Sequence, residues 1–339
     1  MTARYYGLSG ATKVYYGSTL VWSGGSHDYS QDYLTFEIVS GGTIMFQSNR
    51  TESSIAKEIQ YSINNGSWTA INSSGYTGFT VSTGDVVRFK GANARYGTLD
   101  ATSPRASFQD STAVFNMYGN IMSMIYGDNF IGQTVLDSGG YNFIGIFGNV
   151  KVVNAENLVI PAETIPDYGL TNFMIESPTL QVAPKQIPAT TIGVCGMQGS
   201  FARCGQLTNA PEFSVTNVAD SGFVQTFVEC SSLVHGPSIL PIQTMGGGAC
   251  RNMFGNCTSL TTAPELPCAT LSQNAYNRMF LTCPSLNYVK CLATDISATD
   301  CVTNWITGVA STGTFVKKAG VTWPLGYSGI PSRWTVIEE

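Results

Sequence analysis

The sequence predicts a mainly β protein: an N-terminal β-arm and a β-sandwich, then a solenoid of short helices and strands closed by a C-terminal β cap. Three observations predict it. Charged residues make up only 12% of the 339 and Gly numbers 36, so Ser, Thr and Asn fill the polar positions, where long amphipathic helices would need Glu, Lys and Ala. Residues 31–125 alternate apolar and polar side chains with period two. From residue 141 a large apolar residue returns at intervals close to 27.

Residues 1–25 form the arm. Tyr5-Tyr6-Gly7 returns ten positions later as Tyr15-Tyr16-Gly17, and the segment ends in Leu20-Val21-Trp22-Ser23-Gly24-Gly25. Tyr5, Tyr6, Tyr15, Tyr16 and Trp22 are the candidate assembly residues, docking the arm on another subunit; the alternative is an extra strand of the sandwich.

The sandwich spans 26–140. Leu34, Phe36 and Ile38 point one way, Gly41-Gly42 turns the chain, and Ile44 and Phe46 follow. Ile59, Tyr61 and Ile63 alternate likewise, and Asn65-Gly66 predicts a hairpin turn before Trp68. Phe79 and Val81 precede Gly84-Asp85 and the strand Val86-Val87-Arg88-Phe89, and Phe115 and Met117 continue the pattern. Some six to eight short strands with regular turns suit a sandwich, although the Cys–Trp–Cys signature of immunoglobulin domains is missing.

The solenoid spans 141–301. Its anchors are Phe147, Met174, Phe201, Phe227, Phe254, Phe280 and Trp305, spaced by 27, 27, 26, 27, 26 and 25 residues. Six positions after successive anchors come Val153, Leu180, Leu207, Leu233, Leu260 and Leu286. Four positions before come Phe143, Leu170, Met197, Phe223, Cys250, Tyr276 and Cys301. An apolar pair at i and i+4 predicts one face of a short helix. Pro184, Pro211, Pro237 and Pro264 then stop that helix and introduce an extended return. One such unit cannot bury its apolar face alone, so neighbours stack on a shared core. After Cys301 the repeat dissolves into two short strands around a Gly- and Pro-rich turn, and 302–339 is read as the cap.

All nine cysteines lie after residue 194. Cys204, Cys230, Cys257 and Cys283 sit three residues after successive anchors, which predicts a ladder of buried, inert thiols. Metal-ligand spacing of the Cys-x2-Cys kind is absent.

Met253-Phe254-Gly255-Asn256-Cys257-Thr258-Ser259-Leu260-Thr261-Thr262-Ala263-Pro264-Glu265-Leu266-Pro267 and the weaker copy at 279–286 resemble the BspA-like leucine-rich repeats. In that family an aromatic is followed by Cys three residues on and by Leu three residues later. The resemblance covers about 141–301 and weakens in the first two repeats, where Val150 and Ser177 replace the Cys. It implies a leucine-rich-repeat-like solenoid with a binding or scaffold role. Residues 13–25 resemble segments near the ends of tailed-phage structural proteins. Together the resemblances imply a head fibre, tail fibre or capsid decoration of a phage of gut bacteria. Such a protein would be a homotrimer on the virion surface, touching other virion proteins through the arm and a host surface protein or glycan through the repeats. The alternative is a BspA-like adhesin of the bacterial cell surface.

Chemistry is sparse. The net charge is −5 with no block of Lys or Arg, which argues against a nucleic-acid partner. No 18-residue apolar run predicts membrane insertion. The N-terminus lacks the apolar core of a secretory signal, so the expectation is synthesis in a cytoplasm, with exit by another route. No phosphate-cradling loop, calcium loop or zinc motif appears, and the expectation is no cofactor and no metal. Of the two histidines, His27 sits beside Asp28 in a polar linker and His235 is a polar rung of the repeats. The expectation is a non-enzymatic protein; an enzyme would require a concave acidic or His-containing pocket within 26–140.

Overall fold

The computed structural model describes residues 13–16, 19–23, 27–47, 58–71, 76–97 and 106–339. The chain is mainly β, with several sheets and, among the described residues, no closed barrel. Strands β1 (Lys13–Tyr16) and β2 (Thr19–Ser23) pair antiparallel from Lys13↔Ser23 to Tyr16↔Thr19. Tyr15, Tyr16 and Trp22 lie on this hairpin, while Tyr5 and Tyr6 lie outside the described residues.

Seven strands follow: β3 (Leu34–Ser40), β4 (Gly42–Gln47), β5 (Ile59–Ile63), β6 (Thr69–Ile71), β7 (Tyr76–Val81), β8 (Val86–Gly91) and β9 (Val114–Asn120). With β10 (Leu158–Val159) they build a six-stranded sheet of order β10-β9-β3-β8-β5-β6, and β4 pairs with β7 as a separate ribbon. Alternation decides the faces. Leu34, Phe36 and Ile38 of β3 are buried on one side with Val87 and Phe89 of β8 and Phe115 and Met117 of β9. Phe46 of the ribbon meets Phe108, whose ring also packs on Phe36 and Phe89 at 5.2 and 5.0 Å. Each such phenyl, fully buried, is worth about 1.5–3 kcal/mol. The β5–β6 turn lies one residue earlier than the sequence suggested. Asn64 and Asn65 take φ of 52° and 62°, and Gly66 N donates to Ile63 O at 2.9 Å. Positive φ at both central residues suits the right-handed twist of the flanking strands, and Asn tolerates it.

The strand β10 belongs to the coils yet joins the sheet, pairing parallel with β9. The core is likewise continuous: Phe108 stacks on Phe147 at 5.6 Å, and Phe147 meets Phe173 at 5.2 Å.

Beyond β10 the chain makes coils of 25–27 residues. Their two-residue strands are β11 (Thr164–Ile165), β12 (Gln186–Ile187), β13 (Thr191–Ile192), β14 (Glu212–Phe213), β15 (Asn217–Val218) and β16 (Thr244–Met245). One side of the coils is the parallel ladder β11-β13-β15-β16, and β12 pairs with β14 on another. A third side is a row of single parallel bridges from Asn154 through Val182, Asn209, His235 and Thr262 to Tyr288. The row of strands ends in the parallel sheet of β17 (Tyr288–Cys291), β18 (Thr314–Lys317) and β19 (Thr335–Glu338).

The short helix expected around each anchor is absent; among the described residues α-helix is limited to α1 (Ser123–Tyr126). The backbone instead takes positive φ at every fourth residue, as at Tyr168, Asn172 and Glu176 (55°, 53° and 57°). A left-handed residue at each fourth position prevents the i→i−4 bonding of an α-helix. The amides divide between two tasks. Leu170, Asn172 and Met174 donate to Gly196, Gln198 and Ser200 of the next coil, while Thr171, Phe173 and Ile175 donate three residues back. Half of the amides thus close turns and half join neighbouring coils. Because the local period is four, residues at i and i+4 still share a face, and Leu170 and Met174 are both fully buried.

Candidate functional site

The anchors Phe147, Met174, Phe201, Phe227, Phe254, Phe280 and Trp305 are all buried, as are Leu180, Leu207, Leu233, Leu260 and Leu286. Phe201, Phe227, Phe254 and Phe280 form a continuous stack, with centroids 5.5, 5.3 and 5.6 Å apart and rings within 12° of parallel. The nine cysteines are free, and Cys204, Cys230, Cys257 and Cys283 are buried beside this stack. Each Sγ donates to the anchor carbonyl of the preceding coil, at 3.1, 3.1, 3.0 and 3.1 Å. Ser177 makes the same bond to Phe147 O at 3.3 Å. Burial pushes the Cys204 and Cys283 thiols up to about 12, and those of Cys230 and Cys257 well above their ordinary value. These thiols are therefore poor nucleophiles at neutral pH.

Surface chemistry gathers on the outer face of the six-stranded sheet. The register aligns Thr35 of β3 with Arg88 of β8 on one side and with Tyr118 of β9 on the other. These three alternate with core residues, so they face outward. With Gln31, Asp32, Tyr33, Asn64, Asn65 and Val86 they line a cleft of about 480 Å³. Asn64 and Asn65 reach it because the hairpin turn stands at its rim.

Aromatic rings hold the cleft in shape. The Arg88 guanidinium lies 5.8 Å from the Tyr33 ring and 5.6 Å from the Trp68 ring, within cation–π range of both. Lys90 covers Trp68 at 4.4 Å and pairs with Asp128 at 2.8 Å. Tyr33 donates its hydroxyl to the same carboxylate at 2.7 Å. The hydrogen bonds from Lys90 and Tyr33 hold the Asp128 carboxyl below its ordinary value. Burial, with the Asp128 carboxylate beside it, pushes the Tyr33 phenol up to about 12. Tyr118 reaches about 12 as well, chiefly through burial, with the charges of Asp32 and Glu37 adding to it. Both phenols thus remain neutral hydrogen-bonding groups. The Arg88 Nε is buried and bonds no described group, while Nη2 makes only a long 3.4 Å contact to Ser62 Oγ.

His27 belongs to this edge. Its Nε2 lies 2.6 Å from Asp32 Oδ2, so the partner is Asp32 rather than the adjacent Asp28. A concave pocket with a carboxylate and a neighbouring histidine is thus present within 26–140. Asp32 is the one acidic residue among the described residues lining it. His235 is exposed on the bridge row between Asn209 and Thr262, far in sequence from the cleft. Among the described residues, no group of three His, Cys, Asp or Glu is placed to hold a metal ion.

Sequence reasoning missed this cleft. Its residues come from a loop, three strands and a turn, and only the strand register brings them together. The visible signal was Arg88 and Lys90 alternating with the core residues Val87 and Phe89 on one strand.

No family model matches the chain, and no curated protein matches it. Among solved structures it is similar to a leucine-rich repeat protein from Bacteroides ovatus, at 16% identity and a TM-score of 0.22. The match covers 67% of this chain and 57% of that one.

Proposed function

We propose that this chain is a non-enzymatic adhesion protein in which a leucine-rich-repeat-like solenoid, closed by residues 302–339 as a cap, carries a glycan-binding sheet face. One observation carries the reading: a preformed cleft in which Arg88, Asp32, Asn64 and Asn65 offer hydrogen bonds between the rings of Tyr33 and Tyr118. Sugars are bound by this combination, with apolar ring faces against aromatics and hydroxyls against planar polar groups. A surface cleft of this kind suits weak contacts multiplied by many copies on one particle.

The proposed setting is the virion surface, as a head or tail fibre or a decoration, with self-association into a trimer and the arm as virion contact. Reduced thiols that serve as S–H donors in the core favour assembly in a reducing cytoplasm over export to an oxidising cell surface. Immunogold labelling of purified phage particles and of host cells tests the setting. Label on capsid or tail supports it, and label confined to bacterial envelopes transfers the protein to the cell-surface adhesins.

The His27–Asp32 pair favours a second reading, hydrolysis of the bound glycan. Glycosidases usually place two carboxylates about the scissile bond, and this cleft supplies one. Asp32→Asn and His27→Ala decide between the two. Any turnover of bound oligosaccharide that either change abolishes would overturn the non-enzymatic reading.

A further inference from the structure

We infer that the coils carry a second site, around Arg251 and Arg278, that binds a carboxylate-bearing glycan. A surface cavity of about 380 Å³ is lined there by Gln225, Arg251, Asn252, Asn274, Asn277 and Arg278. The lining holds two cations, four amides, no carboxylate and no apolar side chain. Elsewhere on the coils an arginine is matched by acids: Arg203 lies between Glu176 and Glu229, at 2.7 and 3.5 Å. Arg251 and Arg278 are exposed and have no ion-pair partner among the described residues.

The backbone adds a second argument. Gln225, Asn252, Asn274 and Arg278 all take φ between 53° and 57°. At the repeat position of Arg278 other coils place Gly145, Asn172, Gly199, Gln225, Asn252 and Asn304, most of them residues that adopt this conformation readily. Gln225 and Arg278 are the two departures from Gly or Asn at that position, both line the cavity, and long side chains held in this conformation concentrate at functional sites.

The amides fit the same ligand. Asn252 packs its amide against Gly255, where its Oδ1 is buried and bonds no described group. Asn277 Nδ2 donates to Asn274 Oδ1 at 3.3 Å, which leaves the Asn274 Nδ2 as a donor and the Asn277 Oδ1 as an acceptor. A guanidinium matches a carboxylate bidentately, and amides of both senses match hydroxyls. A peptide would look for an apolar anchor, which is lacking. A nucleic acid needs a longer run of cations than one pair on a chain of net charge −5. A sugar acid uses all that is present.

The test is calorimetric titration of the whole chain with oligogalacturonate and sialyllactose, with their carboxyl-reduced forms, and with a sulfated oligosaccharide of matched length. The expected result is binding of at least one carboxylated probe, at least tenfold weaker binding of its reduced form and of the sulfated probe, and a tenfold loss for Arg251→Gln or Arg278→Gln at unchanged melting temperature. Arg203→Gln, on the same coils but with its guanidinium already held by Glu176 and Glu229, leaves this affinity unchanged, which separates the site from exposed charge in general. Failure of every carboxylated probe, equal binding of the reduced or sulfated forms, or full affinity in the Arg251→Gln/Arg278→Gln double variant would overturn the inference.

Discussion

The Sγ of Cys257 donates to the backbone carbonyl of Phe227, one coil back, at 3.0 Å. The same bond ties Cys204 to Met174, Cys230 to Phe201 and Cys283 to Phe254, so each thiol fastens its own coil to the preceding anchor. A ladder that depends on S–H donors is sensitive to whatever removes the proton.

Stability should therefore fall in alkali. An exposed thiol ionises near 9, whereas burial holds Cys204 and Cys283 protonated to about 12. Below pH 9 folded and unfolded chains both keep the proton, and the contribution is fully present. Above pH 9 the unfolded chain sheds protons that the folded one retains, so each thiol costs about tenfold in the folding equilibrium per pH unit until about 12. Urea midpoints measured from pH 7 to 11 check this. A flat profile, or one unchanged by Cys204→Ala with Cys283→Ala, would count against the ladder.

Phe254 is held between Phe227 and Phe280 at 5.3 and 5.6 Å, and Leu260 is fully buried six residues on. Replacing either with Ala leaves a cavity that the stacked coils on both sides are too constrained to fill. The expected loss is about 2–5 kcal/mol for each. Thermal melting of the two single variants measures it, and unchanged midpoints would mean that the register is wrong.

That register was legible because burial and spacing report the same thing: a residue that must face a shared core returns once per coil, as Phe201, Phe227 and Phe254 do. The strands of 31–125 were legible through their alternation, down to the turn at Gly41 between β3 and β4. The helix expected at Leu170 and Met174 was misread because a backbone with a left-handed residue every fourth position gives the same i, i+4 coincidence as a helix. Asn and Gly at four-residue spacing, as in Gly248, Asn252 and Asn256, were the distinguishing mark. The sheet cleft stayed hidden for another reason. Asp32, Asn64, Arg88 and Tyr118 become neighbours only through strand pairing across more than 80 residues of sequence.

The left-handed turns make a prediction of their own. Asn149 is exposed with φ 54°, and its amide bonds Ile175 O at 2.7 Å. Gly at this position should be close to neutral. Val should cost about 1–2 kcal/mol, because a β-branched side chain crowds the backbone in that region. Denaturant titration of the pair compares them directly, and equal stability would contradict the turn geometry.

The sheet cleft predicts a division between charge and ring. Arg88 lines the cleft and rests on Tyr33 and Trp68, so the position of its guanidinium is set by the two rings. Arg88→Lys keeps the charge and loses the fork, and Tyr118→Phe keeps the ring and loses the hydroxyl. If sugar hydroxyls are read by the fork, Arg88→Lys should weaken glycan binding about tenfold or more, the value of one or two well-placed hydrogen bonds to a charged group. Tyr118→Phe should weaken it less, and Tyr118→Ala should approach the Arg88 effect through loss of the stacking surface. A glycan array followed by titration of the best ligand measures all three. Full affinity in both Arg88→Lys and Tyr118→Ala would remove the cleft from consideration and leave adhesion to the coils alone.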